Sequence, residues 1–540
     1  MCGIIGIIGS DQAAKELVIG SMHLQHRGQD AAGILVFDFD HDDNESGVKI
    51  FKNHGLISQI FSEENLKDFK GSMGIAHCRY PTSGFSHDSE LQPFFLHYPD
   101  GIGMAHNGNI VNYVLLRKKL KEEKRRYLAS SSDTEALANL FAEEYSKESN
   151  GPDSIFKAVE WIFNNVFGSY SVVSIVADKG ILAFRDPNGI RPLVFGKRKS
   201  SPSSLKKFID DKPTYCFASE SIALSILGFE DIEDVKPGEV IFIDKNLNVH
   251  RKQIVSKKHA HCIFEYVYFA TVESEIEGKY VYELRYNLGK ELAEKIKKHI
   301  NLDEIDIVVP VPDTSRPAAA AIARDLGKPL EEGLVKNRYV ARTFIMPSQT
   351  MRENAVSLKM KPISYILKNR KVLIVDDSIV RGTTSKKIIS MVRQAGAKKV
   401  YFVSTFPPIR HPCYYGIDFQ SRGELVASNK TIEEIERELG ADKLIYIDKD
   451  SLIKAAGFDD LCMACITGEY PTNISGSEEL EQKRKEHHDA RDNKDNEKEF
   501  KGFKNVEQKN VEQQKEKMLS SKVFKSSRIL GSDEIYRIRC

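Results

Sequence analysis

The stretch Lys371-Val-Leu-Ile-Val-Asp-Asp-Ser-Ile-Val-Arg-Gly-Thr-Thr384 constrains the fold more than any other part of the chain. It begins as a short apolar run rich in β-branched side chains, which reads as a strand. Two adjacent carboxylates, Asp376 and Asp377, end that run, and a turn carrying Gly382, Thr383 and Thr384 opens a helix at Ser385. Open α/β sheets bind ligands beyond the carboxyl ends of their strands, which is where both carboxylates fall. Paired carboxylates suit ribose hydroxyls or Mg²⁺, and backbone N–H groups at a helix start suit a phosphate monoester. A strand ending in a solvated Asp-Asp turn would use the same residue types.

The flanking sequence alternates helix and strand. A helical pattern covers 280–300, an apolar strand 305–309, a helix 317–326, the strand 372–375, and a helix 385–395 ended by Gly396. That rhythm predicts a parallel sheet with helices on its faces. Upstream, short β-branched and aromatic runs at 4–8, 33–37, 48–51, 74–76, 170–176 and 181–184 are separated by Gly, Asn and Asp turns, with helices predicted at 116–126 and 132–145. The first 250 residues thus read as a separate strand-rich unit with packed helices. From 471 to about 520 the chain is Lys, Glu, Asp, Asn and Gln without an apolar period, and is expected to be disordered or loosely helical.

Charge narrows the partners. Lys and Arg number 78 against 77 Asp and Glu, a formal net charge of +1, so the basic field of a nucleic-acid binder is missing and any phosphate must be held locally. No apolar run approaches the roughly 18 residues that span a bilayer. The apolar start at 1–9 lacks a basic leader and runs into Asp11-Gln12, so no membrane contact and a cytoplasmic location are expected. Eight cysteines in 540 residues are too sparse for a disulfide framework, as in a reducing compartment.

The run 372–384 resembles the 5-phosphoribosyl-1-pyrophosphate (PRPP) loop of the type I phosphoribosyltransferases. A Walker A loop is not found, and Gly101-Ile-Gly103-Met-Ala-His106 fails the dinucleotide pattern at its third position. Two further segments fit a PRPP site: Val309-Pro-Val-Pro-Asp-Thr-Ser-Arg316 and the basic stretch 336–348. The resemblance implies PRPP contacts from Asp376, Asp377, Ser378, Arg381, Gly382, Thr383 and Thr384, and one Mg²⁺ per subunit on Thr314, Asp376 and Asp377. Charge grows on the pyrophosphate leaving group, so Lys336, Arg338, Arg342 and Arg352 are expected to stabilise it from a mobile loop. Any one of these cations alone would read as a basic surface residue.

The other end of the chain carries a nucleophile. If Met1 is removed, the α-amine of Cys2, with a pKa of about 8, can serve as general base for the thiol. The motifs Cys2-Gly-Ile-Ile-Gly-Ile, His26-Arg-Gly-Gln-Asp30, His77-Cys-Arg-Tyr-Pro-Thr-Ser-Gly84, Ala105-His-Asn-Gly-Asn109 and Ser132-Asp-Thr-Glu135 together resemble the glutaminase domain of the class II N-terminal-nucleophile amidotransferases. The resemblance implies an oxyanion hole from the Asn107 side chain and the Gly108 backbone N–H. It also implies that Arg79 binds the α-carboxylate of glutamine and Asp133 its α-amine. His26, His77 and His106 are read as structural, and Cys78 as a small core residue.

Over residues 2–470 the chain is similar to the glutamine phosphoribosylpyrophosphate amidotransferase family. This implies an α+β N-terminal-nucleophile hydrolase sandwich (αββα) at 2–255, followed by an α/β type I phosphoribosyltransferase domain with a parallel sheet at 256–470, and a charged extension at 471–540. Arg185-Asp-Pro-Asn-Gly-Ile-Arg-Pro-Leu193, Phe217-Ala-Ser-Glu-Ser221, Val235-Lys-Pro-Gly-Glu239 and Cys262-Ile-Phe-Glu-Tyr-Val-Tyr-Phe-Ala270 read like that family. After Ala270 the usual Arg-Pro-Asp-Ser gives way to Thr271-Val-Glu-Ser274, so contacts at the junction of the halves should differ. The implied activity is glutamine hydrolysis at Cys2 with ammonia passed to C1 of PRPP, giving 5-phosphoribosylamine, pyrophosphate and glutamate, the first committed step of de novo purine synthesis. Purine nucleotides are the implied inhibitors and a homodimer or homotetramer the implied assembly. Another class II amidotransferase, which would aminate a sugar phosphate, or a PRPP-binding regulator without catalysis would each share one half. Cys462-Met-Ala-Cys465 with Cys262 and Cys413 offers four thiolates, which satisfy either a structural zinc or a [4Fe-4S] cluster; the choice of iron rests on the resemblance.

Overall fold

Strand Gly168–Val176 is buried along its whole length because both of its faces are covered. It lies in a sheet of six described strands, in the order Val249–Gln253, Glu239–Asp244, Gly180–Arg185, Gly168–Val176, Ile102–Ile110 and Phe94–Leu96, all antiparallel. The structure, a computed structural model, describes residues 1–41, 47–80, 88–147, 151–199, 213–337, 360–419 and 421–482. A second antiparallel sheet runs Glu230–Asp234, Val194–Lys199, Pro213–Ala218, Gly3–Ile8, Met73–Arg79, Ala31–Phe37 and Val48–His54. The strand period of two sorts the side chains. Ile4, Ile8, Ala105, Val173 and Ile175 meet between the sheets, while Ile5 and Ile7 face Leu17 and Leu224 on the outside. Met104 and Val172 turn the other way, onto Leu137, Phe141 and Ile162 of the helices Asp133–Tyr145 and Pro152–Asn165. Helix, sheet, sheet and helix make the αββα sandwich.

The second half is a parallel sheet, Ile307–Pro310, Lys371–Asp376, Lys399–Ser404 and Lys443–Tyr446. Both faces are buried, again by alternation. Val308, Leu373 and Val375 pack toward helices Val281–His299 and Arg316–Leu326, and Ile307, Val372 and Ile374 toward Thr383–Gln394 and Ile432–Leu439. Among the described residues no helix is long and apolar enough to cross a membrane.

Two expectations change. The helix predicted at 116–126 runs Tyr113–Glu122, because Arg125 takes a left-handed φ of 52° that a helix cannot continue through. Residues 471–482, expected to belong to the charged extension, pack on the body. Tyr415 and Thr472 share a hydroxyl hydrogen bond of 2.9 Å, the Tyr414 hydroxyl donates to Glu481, and Leu480 is buried. The composition of 471–482 is polar, but its few apolar side chains fall against the body. Residues 483–540 lie outside the described residues.

Candidate active sites

Cys2 stands just before the Gly3–Ile8 strand, half-buried, with its thiol 3.8 Å from the Tyr80 carbonyl. Its backbone N–H donates to Asn107 Oδ1 at 3.2 Å, on the facing sheet. That leaves Asn107 Nδ2 buried without a hydrogen-bond partner, although the side chain is 0% exposed. Gly108 follows at φ 154°, where a Cβ would fall 2.0 Å from the Ser169 carbonyl oxygen. Only glycine fits there. Met1 still precedes Cys2 and is buried among Val111, Ile190 and Ile263 of the apolar cluster that continues into the second half. Burial pushes its amine down to about 5.

Asp133 opens helix Asp133–Tyr145, with Ser132 as its cap. Burial pushes its carboxyl up, but His106 and the N–H groups of Ile110 and Thr134 outweigh that and hold it below the usual range. Arg79 ends the Met73–Arg79 strand, and its fork is engaged by Glu90, by the backbone carbonyl at 2.5 Å and the carboxylate at 2.8 Å. A glutamine α-carboxylate would have to share that cation. Of the histidines, His26 pairs with Glu220 at 2.7 Å, and His77, enclosed beside Arg79 and His106, is held neutral chiefly by burial. Cys78 is a core residue whose thiol burial pushes up to about 12.

Arg27 ties the Cys2 backbone to the other half of the molecule. Its Nε donates to the Cys2 carbonyl at 3.0 Å, one amino group to Glu220 at 2.5 Å, and the other to both oxygens of Glu265 at 2.8 Å. Glu265 also takes Arg191 at 2.9 Å, and Glu220 accepts from Thr271 and Ser274. Thr271 thus caps a carboxylate of the glutaminase half. Glu265 starts a π-helical turn, Glu265–Phe269, whose Tyr266 carbonyl accepts from Arg285, and Arg285 lies beside Asp377. Arg27, Arg191, Glu220 and Glu265 all sit inside the quoted motifs, yet sequence reasoning gave them no role. Arg27 and Glu265 are 238 positions apart, and nothing local pairs them.

Asp376 and Asp377 close the Lys371–Asp376 strand, each 7% exposed. Burial and mutual repulsion push Asp376 well up, and burial raises Asp377. Thr314 donates its hydroxyl to Asp377, and Ser378 does so at 2.6 Å. Gly382 caps the next helix at φ 76°, while Thr383 and Thr384 are exposed at its start. Arg381 pairs with Glu424, and Lys336 donates to Asp313 at 3.3 Å. Arg338, Arg342 and Arg352 lie outside the described residues.

Residues 77–224 match the glutamine amidotransferase domain model, and 282–416 the phosphoribosyl transferase domain model. The chain is 46% identical over 460 residues to amidophosphoribosyltransferase from Escherichia coli, covering 84% of this chain and 88% of that protein. The chain belongs to the amidophosphoribosyltransferase family. The Pasteurella multocida member is 42% identical over 91% of this chain and 96% of its own. A solved structure, the glutamine PRPP amidotransferase from B. subtilis complexed with ADP and GMP, is 36% identical with a TM-score of 0.75, covering 88% of this chain and 98% of that one. Another, described as the allosteric regulatory enzyme of purine biosynthesis, has a TM-score of 0.76 at 36% identity over 88% of this chain and 97% of that one.

Within this member of the family, Cys262, Cys413, Cys462 and Cys465 line one apolar cavity with Ile263, Phe264 and Tyr415. Strand pairing places Cys262 directly opposite Cys462. Burial pushes the Cys262 thiol up to about 11 and those of Cys462 and Cys465 higher still. No three of these sulfurs lie within 4.8 Å of one another, since the only such ligand group among the described residues is His259, His261 and Asp460. A single zinc with bonds of about 2.3 Å needs sulfurs about 3.8 Å apart. The cysteines are spread more widely than that.

Proposed function

We infer that this chain converts PRPP and glutamine into 5-phosphoribosylamine, pyrophosphate and glutamate. The observation that carries the reading is the unspent amide of Asn107 beside Cys2, in a chain whose other half holds a buried acid pair at the carboxyl end of a parallel sheet. Removal of Met1 hands the terminus to Cys2, whose amine then takes the thiol proton. The thiolate attacks the amide carbon, and Asn107 Nδ2 with the Gly108 N–H receives the oxyanion. Ammonia leaves as the thioester forms, and water releases glutamate. Asp133 and Arg79 hold the substrate's amine and carboxylate. Met1 belongs to an apolar cluster that includes residues of both halves, and such a lining would shield ammonia from water.

At the second site ammonia displaces pyrophosphate from C1. Asp376, Asp377 and Thr314 would hold Mg²⁺, which when bound supplies the positive charge that this crowded acid pair lacks. Ser378, Gly382, Thr383 and Thr384 receive the 5-phosphate at the helix start, where donors are free. Lys336 with Arg338 and Arg342 covers the pyrophosphate, and Arg381 borders the phosphate side. The wide set of four cysteines suits a [4Fe-4S] cluster of structural role better than one zinc. The B. subtilis complex with ADP and GMP supports purine nucleotides as inhibitors. A place in purine synthesis, a homo-oligomeric assembly and a cytoplasmic location complete the reading.

The test uses glutamine labelled with ¹⁵N in its amide. With PRPP and Mg²⁺, the label should appear in phosphoribosylamine with one pyrophosphate per glutamate. Glutamate formed without label transfer would overturn it.

A further inference from the structure

We propose that His259, His261 and Asp460 bind a divalent first-row transition cation of the zinc class, at a site distinct from the four cysteines and from the acid pair. The short strands His261–Cys262 and Leu461–Cys462 pair in parallel, with His261 opposite Leu461, and this brings the turn containing Asp460 against the two histidines. His259 Nδ1 lies 3.2 Å and His261 Nε2 3.1 Å from the same oxygen, Asp460 Oδ2. The two rings stand side by side with centroids 3.7 Å apart. A tetrahedral ion with nitrogen and oxygen ligands at about 2.0–2.1 Å separates those ligands by about 3.3 Å. The two nitrogen–oxygen spacings match that separation, and among the described residues no other such trio of ligand atoms gathers within 4.8 Å.

The far edges of the rings supply the second observation. His259 Nε2 and His261 Nδ1 are buried without a hydrogen-bond partner, and both face Glu277 Oε1, at 3.5 and 3.4 Å. Glu277 is itself paired with Arg185. Metal-bound histidines typically give their other N–H to a carboxylate, which fixes the tautomer and turns the ligating nitrogen to the ion. One protonated histidine paired with Asp460 would account for a single contact. It does not account for two rings that turn one edge to a shared aspartate oxygen and the other to a shared glutamate oxygen. His261 is nearly enclosed at 6% side-chain exposure, while Asp460 at 36% leaves a side open for the ion to enter and for water to complete its shell. Two histidines and a carboxylate suit Zn²⁺ or Co²⁺ over Mg²⁺. The bound ion would pin the segment joining the halves to the turn before Cys462.

Full-length protein as isolated, washed with a mild chelator, is titrated with Co²⁺ and then Zn²⁺. One Co²⁺ per chain should give ligand-field bands without a thiolate charge-transfer band, Zn²⁺ should displace it, and Cys465→Ser should leave the spectrum unchanged. Asp460→Asn and His259→Gln, near in size to the originals and checked for folding by circular dichroism, should abolish the bands. Glu277→Gln should weaken binding about 10–100-fold. Absence of uptake by the wild type, uptake undiminished in both ligand variants, or a thiolate band that disappears with Cys465→Ser would overturn the site.

Discussion

Leaving a buried amide N–H₂ without an acceptor costs about 1–3 kcal/mol, and Asn107 bears that cost beside Cys2. Such a donor is useful when an oxyanion forms. Asn107→Ala is therefore expected to cut the glutamine-dependent rate about 10²–10³-fold, with ammonia-dependent turnover retained; a parallel loss of both would place the residue in the fold instead. Glu220 makes a different prediction. Burial alone would raise it, but His26 and Arg27 hold it below the ordinary range. A carboxylate with a depressed folded pKa adds stability that is complete above its unfolded value of about 4.3 and is lost as acid titrates the folded group. The melting temperature should fall between about pH 5 and pH 3, and Glu220→Gln should flatten that slope. An unchanged slope would contradict the assignment. Cys2, Asn107 and the acid pair could be singled out because each sits in a short contiguous motif. Arg27 and Glu265 could not, because their meaning lies in a contact across 238 positions.

Elements show the same division. The runs at 4–8 and 372–375 read as strands because their β-branched content survives burial on both faces. Ile102–Ile110, which carries Asn107 and Gly108, reads Ile-Gly-Met-Ala-His-Asn-Gly-Asn-Ile and was not read as a strand. Its glycines and polar residues have low strand propensity, and the neighbouring sheet supplies what propensity lacks. Helix Thr383–Gln394 starts two residues and ends one residue before the 385–395 that the sequence predicts, with a glycine marking each end. The pairing of His261–Cys262 with Leu461–Cys462 was invisible for want of length. That pairing sets Cys262 opposite Cys462, so a cluster on the four cysteines would staple distant elements together. Anaerobically purified protein should be brown, with iron and acid-labile sulfide near four per chain, as expected for a [4Fe-4S] cluster. Cys465→Ser should lose both along with thermal stability, whereas colourless protein of full activity would refute the cluster.

At the scale of the whole molecule, the buried seam of Arg27, Glu220, Glu265 and Arg191 makes the two halves one body. Breaking a buried pair by removing one partner costs about 3–5 kcal/mol, so the halves are not expected to be separable. The chain beyond 482 is a different matter. Truncation there should leave both reactions intact, while truncation from 475 should lower stability by removing Leu480 and Glu481 from the body; equal behaviour of the two would refute the docking of 475–482. The central claim is that one chain holds two separable reactions joined by ammonia. Its most direct measurement is the rate of pyrophosphate release from PRPP, driven either by glutamine or by free ammonia, in the wild type, Cys2→Ala and Asp377→Asn. Cys2→Ala should be inactive with glutamine and near wild type with ammonia, and Asp377→Asn should be depressed with both. Glutamine-driven release that survives in Cys2→Ala, or ammonia-driven release untouched in Asp377→Asn at subsaturating PRPP, would contradict the account.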